Sequence, residues 1–396
     1  MLTHDRWLLP EGIDDIFPHE ARALEQLGRT LMDRLSVWGY RQVIPPMVDF
    51  LDSLLVGTGH ALDLETLKLS DPVSGRLIGL RADMTPQVAR IDARTARVGI
   101  PARFCYLGSV IRGLSGHLDK TRNPIQIGAE LFGDASEAAT TEVIHLLLET
   151  LALVRVDNVH LDLGHVGIYR LLASEAGLGE TEESELFDIL QRKDPTDLRV
   201  FLADRQVAPG PSVLIERLLD LNGPLDVLDQ ALEALAPGGP LILKAVEEVA
   251  KIGRRLTASF PSLQLHVDLA ELRGYQYHTG IVFAAFVPGQ GQEIARGGRY
   301  DEIGQAFGHA RPAVGFSADL RMLASLCALK GQYESVAAIF APAIEDADLE
   351  VAISQLRGEG VIVIQSLGGP HETAERLDCS ASLRWLEGRW QVIQND

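Results

Sequence analysis

The sequence predicts an α+β fold: a mixed, mainly antiparallel sheet with flanking helices, a helical insert and a small C-terminal α/β domain. Three observations predict it. Arg103–Gly133 holds two apolar alternating runs around a polar loop, the pattern of a long hairpin. Strand signals at Leu263–Val287 and before Leu320 follow one another without the strand–helix alternation of a doubly wound sheet. Between them, Ser174–Arg255 reads as helical, broken only by "APGPS" and "APGGP".

Each element has its own reason. Leu24, Leu27, Leu31 and Leu35 form one stripe of a helix over residues 19–37. "YRQVIPPMVDF" (Tyr40–Phe50) reads as a short strand interrupted by Pro45 and Pro46, and a Pro there means an edge, a strand end or a subunit boundary. "GRLIGLRADMT" is a strand running into a helix, with Thr85 suited to the N-cap and Pro86 to the first helical position. Val88 and Ile91 give that helix an apolar face, and Arg90, Arg94 and Arg97 a polar one. Ser136 caps a helix rich in Val143, Ile144, Leu147, Leu148 and Leu151, and "NVHLDLGHVGIYRLL" returns to strand and then helix. "KGQYES" (Lys330–Ser335) marks a polar boundary. Beyond it come a strand at 337–341, a helix at 348–357, a strand at 361–365 and a terminal hairpin, "LRWLEGRWQVI". The expected domains are residues 1–329, with the insert at about 174–255, and residues 330–396.

Composition narrows the function classes. Thirty-six Lys and Arg against 55 Asp and Glu give a net charge of -19, the opposite of a nucleic-acid footprint and unfavourable for membrane surfaces. The first residues carry acids and a Pro and do not read as a signal peptide, so a cytoplasmic protein is expected. Three dispersed cysteines offer neither a disulfide framework nor metal spacing. There is no P-loop, dinucleotide fingerprint, HExxH or Ser-His-Asp order, so no metal and no cofactor is expected.

Four polar clusters sit at strand ends: Asp83 with Thr85; Arg112 with Gln126 and Glu130; Arg273 with Tyr277 and His278; and Arg296 with Arg299, Tyr300 and Asp301. Each has a plain reading. Asp83 ahead of a helix favours the dipole, or holds an ammonium group. A strand arginine such as Arg112 is often a solvated edge residue, and a lone His278 is often structural. Gln126 and Glu130 are an even number apart and share a face, with Ile125, Ile127 and Leu131 on the other. A glutamate pointing inward needs a partner, because an unpaired buried carboxylate is costly.

Residues of about 5–325 resemble the catalytic core of histidyl-tRNA synthetase, a class II synthetase. "IPPMVDF" resembles the dimer-forming first motif, with Pro46 at the motif proline. "LRADMT" resembles "LRPEGT", with Asp83 where the amino-group-binding Glu lies and Thr85 retained. "VIRGLSGHLDKTRNPIQIGAELFG" resembles the second motif: Arg112 keeps the arginine, and Gln126 and Glu130 match the two histidine-binding positions. "ELRGYQYHTG" resembles "LVRGLDYY", keeping Arg273 and Tyr277 but placing His278 at the second Tyr. "GGRYD" is kept, and "AVGFSADLRML" resembles the third motif.

The departures matter as much. The second motif's Glu and next arginine are Leu114 and Ser115, and the third motif's Gly-Leu-Glu-Arg is Asp319-Leu320-Arg321-Met322. The arginine that stacks on adenine is thus Met322, with Arg321 beside it as a possible substitute. A donor of that kind is typically worth about 2.7–4 kcal/mol of transition-state stabilisation, so losing several predicts negligible adenylation. The C-terminal segment is shorter than the family's anticodon-binding domain and differs from it. This pattern resembles the synthetase paralogues that serve as regulatory subunits of ATP phosphoribosyltransferase, and "RADMTPQVARI" and "RGYQYHTGIVFAA" are particularly similar to them.

That resemblance implies a non-catalytic subunit joining a short-form ATP phosphoribosyltransferase catalytic subunit in the first step of histidine biosynthesis. It implies self-association as a dimer within a hetero-octamer, histidine as ligand and feedback effector, and no tRNA. The implied histidine-binding residues are Asp83, Thr85, Arg112, Gln126, Glu130, Arg273, Tyr277 and His278. An active or degenerate histidyl-tRNA synthetase-like ligase is the alternative.

Overall fold

A computed structural model describes residues 8–55, 59–95, 97, 99–113, 121–271, 278–308, 310–327, 338–369 and 371–395. The chain divides into two compact units, residues 1–328 and 329–396.

In the first unit the described strands are β1 (Arg41–Gln42), β2 (Val48–Phe50), β3 (Leu67–Ser70), β4 (Leu77–Leu80), β5 (Ala102–Ser109), β6 (Ile125–Phe132), β7 (His160–His165), β8 (Asn222–Gly223), β9 (Gln264–Asp268), β10 (Ile281–Phe286), β11 (Ala295–Arg299) and β12 (Ala313–Asp319). Nine of them form one sheet in the order β1-β5-β6-β12-β11-β10-β7-β9-β8. The six central strands, β5 to β7 in that order, pair antiparallel throughout. Only β1 against β5 and β9 against β7 run parallel. The expected hairpin is β5–β6, and its register sets Glu130 opposite Phe104 and Gly128 opposite Tyr106.

Helices Pro18–Val37, Glu137–Leu153 and Pro240–Ser259 lie on one face of this sheet. The leucine stripe of the first is buried at Leu24, Leu27, Leu31 and Leu35, and Gly28 lets it approach Leu107 and Leu320 closely. Ser136 caps the second by accepting the Ala139 N–H at 3.3 Å. The other face carries helix Thr85–Thr95, whose Val88 and Ala89 pack with Met84, Phe104, Tyr106, Phe132 and Tyr300.

The prolines interrupt Tyr40–Phe50 as expected: β1 and β2 join different sheets, because the two prolines between them donate no backbone N–H to a ladder. Three expectations need correcting. Thr85 is the first helical residue rather than the cap, and its hydroxyl turns into the sheet. Arg97 lies beyond that helix, while Gln87 and Asp92 on it are buried, held by the Pro46 carbonyl and by Arg311. The insert is helical at Glu180–Arg192, Pro195–Asp204, Pro209–Leu218, Val227–Ala234 and Pro240–Ser259, yet it also lends β8 to the sheet edge.

The second unit is a four-stranded sheet of β13 (Ala338–Ala341), β14 (Ile362–Gln365), β15 (Cys379–Leu386) and β16 (Arg389–Gln394), in the order β14-β13-β15-β16. Helix Ala347–Gly358 packs Leu349 and Ile353 against Ile339, Ala341, Val363, Ala381 and Leu383. The terminal hairpin turns at Glu387 and Gly388, both at positive φ (51° and 76°), as a two-residue turn between twisted strands requires.

Candidate functional site

The site lies where helix Thr85–Thr95 begins over β6. Gln126 on β6 accepts the Met84 N–H at 2.9 Å and donates to Asp83 Oδ1 at 2.9 Å. The same Asp83 oxygen accepts the Thr85 N–H at 2.9 Å. One glutamine thus closes the helix start onto the strand, and Asp83 does serve the helix N-terminus, as its plainer reading held.

Glu130, two turns of the strand pleat along, is 1 % exposed. Its partners are hydroxyls. Thr85 Oγ1 donates to Oε1 at 2.8 Å, Tyr106 donates to Oε1 at 2.9 Å, and the Tyr300 hydroxyl donates to Oε2. Three hydroxyl donors do not supply the countercharge that a buried carboxylate lacks. Burial pushes the Glu130 carboxyl up to about 8, against the pull of the three donors, and the Asp83 charge adds to the rise.

The sheet makes room for this cluster with glycines. A Cβ on Gly315, the partner of Glu130 on β12, would fall 1.4 Å from Glu130 Oε2. One on Gly128 would fall 2.4 Å from the Tyr106 hydroxyl, and one on Gly298 2.6 Å from the His278 ring. The His278 ring therefore lies over Gly298 of β11, the next strand but one from β6 and Glu130.

An adjoining pocket is lined by Asp83, Arg112, Gln126, Arg296, Ser317, Asp319 and Met322, with Glu65 and Glu293 at its sides. Asp319 on its floor accepts the backbone N–H groups of Arg321 and Ile125 at 2.9 and 3.3 Å. Burial raises its carboxyl above the ordinary aspartate value, with Arg112 and Arg321 pulling the other way. Arg321 does not substitute for the missing third-motif arginine. It clamps Asp14 through two nitrogens at 2.6 and 3.2 Å, reaches Glu20 at 3.4 Å, and does not line the pocket. That pair holds the Asp14 carboxyl below its usual range.

Of the eight residues named from sequence, Asp83, Thr85, Gln126 and Glu130 form one bonded network. Arg112 lines the pocket beside it, and His278 lies over Gly298. Arg273 and Tyr277, like Leu114 and Ser115 of the second motif, lie outside the described residues. The fourth polar cluster splits. Tyr300 faces Glu130, whereas Arg299 is buried on the opposite side and ties β11 to the Asp134 and Ser136 carbonyls and to Thr140. Sequence reasoning gave Tyr106 no role and placed Tyr300 in a separate polar cluster, apart from Glu130. The available signal was parity: once β5–β6 is a hairpin, Tyr106 shares the face of Gln126 and Glu130. Among the described residues no group of His, Cys, Asp and Glu is placed to hold a metal ion, and no helix is long and apolar enough to cross a membrane.

Comparison with known proteins agrees with this architecture. Residues 12–323 match the family model "Histidyl-tRNA synthetase", and residues 336–393 match "ATP phosphoribosyltransferase subunit HisZ C-terminal domain". A Methylococcus capsulatus protein named "ATP phosphoribosyltransferase regulatory subunit" is 51% identical over 98% of this chain and 96% of its own length. One of the same name from Azotobacter vinelandii is 49% identical over 99% of both. Among solved structures, a Bacillus halodurans chain titled "ATP phosphoribosyltransferase regulatory subunit/histidyl-tRNA synthetase" superposes with a TM-score of 0.80 at 24% identity, covering 94% of this chain and 96% of that one. A histidyl-tRNA synthetase from Nostoc gives 0.74 at 22% identity, over 96% and 91% of the two chains. Both likenesses are likenesses of fold.

Proposed function

The chain belongs to the ATP phosphoribosyltransferase regulatory subunit family, and from that premise we propose that it is the non-catalytic, histidine-responsive partner of a short-form ATP phosphoribosyltransferase catalytic subunit. One observation supports the ligand assignment: Asp83, Thr85, Gln126 and Glu130 are interconnected by hydrogen bonds, while carboxylates outnumber arginines in the lining of the neighbouring pocket. Asp83 and Thr85 hold the ligand ammonium, Gln126 bridges to its carboxylate, and Glu130 accepts a ring N–H. Arg112 and Arg273 pair with the carboxylate, and Tyr277 and His278 close around the ring. Charge-assisted bonds of this kind are the strong ones. A triphosphate entering the next pocket meets four carboxylates, Asp83, Glu65, Glu293 and Asp319, against two arginines, Arg112 and Arg296, and Met322 stands where a further arginine would neutralise it.

Feedback requires histidine to favour one of two states of the complex, with a coupling of about 1–3 kcal/mol typical for such a switch. Self-association as a dimer within a hetero-octamer is part of the proposal. The sheet β2-β4-β3 supports it: Val48, Phe50, Leu67, Leu69, Ile78 and Leu80 share one face, and each is half-buried or exposed. An apolar face of that kind marks an association surface. Residues 1–329 form the ligand-binding core, and 330–396 a small assembly domain. The complex works in the cytoplasm and takes no tRNA.

Gel filtration of this chain with the catalytic subunit of the same organism tests the partner. The expected result is one co-eluting complex larger than either component. Separate elution at micromolar concentrations, with and without histidine, would overturn it.

A further inference from the structure

The sheet of the C-terminal unit finishes its two edges differently. Its order is β14-β13-β15-β16, so β14 and β16 are the edges. At β14 the Ser366 N–H donates to the Ala341 carbonyl at 2.9 Å, so by alternation Val363 and Gln365 turn their backbone groups outward. Arg357 of helix Ala347–Gly358 covers that side by donating to the Val363 carbonyl at 3.0 Å. At β16 the Asn395 N–H donates to the Ser380 carbonyl at 2.8 Å, so Arg389, Gln391 and Ile393 face β15. Trp390, Val392 and Gln394 then point their N–H and C=O groups away from the sheet, and none of these groups has a protein partner among the described residues. The strand also lacks the usual protection of an edge. It has no proline and no bulge, and its one charge, Arg389, stands at its end.

Apolar surface continues to this edge. Val392 and Trp390 stand across from Leu383 and Trp385, on the face that carries helix Ala347–Gly358. Val392 is 40% exposed and Trp385 47%. An extended segment laid along β16 completes the ladder and covers Val392. Charge and register select a second copy of the same strand. On a chain of net charge -19 two copies repel over most approaches, yet β15 and β16 hold Arg384 and Arg389 and no carboxylate. The outward residues are symmetric about Val392. Two antiparallel β16 strands related by a two-fold axis through Val392 therefore set every outward N–H opposite an outward C=O. Val392 then meets Val392, Trp390 meets Gln394 on the same face, and Arg389 meets Asn395 rather than another cation. We propose that β16 is a self-pairing edge, through which two copies join their four-stranded C-terminal sheets into one continuous sheet across Val392. This contact is separate from the β2-β4-β3 face and rests on no part of the ligand reading. It gives the assembly role proposed for residues 330–396 a surface. One two-fold face closes at two chains, and two distinct ones take the assembly to four.

Val392→Lys and Val392→Glu test this, because each sets like charges directly opposite one another on the axis. Residue 392 is half-exposed and its N–H points outward, so both variants keep their own fold, which thermal melts check. Sedimentation velocity of the full chain at micromolar concentrations compares wild type, each variant and an equimolar mixture of the two. The expected result is wild type at twice the mass of either variant, with the mixture returning to the wild-type mass because lysine then faces glutamate. Four chains against two would uphold the β2-β4-β3 contact as well. Two chains against one would uphold the self-pairing edge and overturn the β2-β4-β3 contact. If wild type, variants and mixture all share one mass, the self-pairing edge is wrong, whatever that mass is. If they share one mass and only the variants fail to hold the catalytic subunit, the edge takes a strand of that protein and self-pairing is again wrong.

Discussion

Glu130→Gln is expected to uncouple the protein from histidine while making it more stable at alkaline pH. On the proposed reading the ionised carboxylate, the predominant form above pH 8, is the charged acceptor for the ligand ring; a charge-assisted bond contributes roughly 1.5–3 kcal/mol, so in that range the amide should bind histidine about tenfold to a hundredfold more weakly. Stability moves the other way for a definite reason. The folded-state pKa of Glu130 is raised from 4.5 to about 8, so the folded chain binds this proton more tightly than the unfolded chain. Its contribution is fully present below pH 4.5 and is lost as pH rises through 8. With each unit equivalent to about 1.4 kcal/mol, the ionised carboxylate costs the native state roughly 3–5 kcal/mol at pH 9. Glutamine never ionises and carries no such cost. Thermal melts of the two proteins from pH 5 to 9 should therefore diverge, with wild type falling and the variant holding. Parallel melting curves would show that Glu130 is ionised in the fold without penalty, and that its hydroxyl partners are enough.

Gly315→Ala is expected to be strongly damaging, because it strikes both the Glu130 carboxylate and the neighbouring strand. The new Cβ would fall 1.4 Å from Glu130 Oε2, 2.4 Å from its Cδ and 2.8 Å from the Ala129 carbonyl oxygen. The carbonyl belongs to the neighbouring strand of the same sheet and does not yield. The carboxylate must leave its three hydroxyls. Overpacking costs about 1–3 kcal/mol, and each buried group left unsatisfied about 1–3 kcal/mol more. A drop in melting temperature of several degrees is expected, together with loss of histidine binding. Gly210→Ala is the control: nothing lies within 4 Å of its Cβ and it sits in a helix, so stability should hold or rise slightly. If Gly315→Ala melted and bound like wild type, the close seating of Glu130 on β12 would be wrong.

How far the sequence carried the fold and the site depends on the kind of residue. Periodicity was enough where it was strong: the stripe at Leu24, Leu27, Leu31 and Leu35 and the alternation around Gln126 and Glu130 both occupy the faces expected of them. Even spacing put Gln126 and Glu130 together, and inward burial of a carboxylate required partners. What those partners are could not be read locally. Tyr106 is 24 residues from Glu130 and Tyr300 is 170, and they meet only through the register of β5–β6–β12–β11. Thr85 was misassigned because a threonine before proline fits a cap by propensity, and a tertiary bond to Glu130 outbids the local one. Arg321 shows the same limit. In sequence it sits beside the lost adenine-stacking position, but the pull of Asp14 and Glu20, more than 300 residues away, turns it out of the pocket.

The central claim is that this chain makes a catalytic subunit responsive to histidine. The direct measurement is the initial rate of the short-form ATP phosphoribosyltransferase catalytic subunit from the same organism, titrated with this chain, with and without histidine. The account predicts a rate that rises to a plateau, falls when histidine is added, and stays high when the complex is built with Glu130→Gln. A rate unaffected by the chain, accompanied by histidine-dependent pyrophosphate exchange on the chain alone, would contradict it and return the protein to the synthetases.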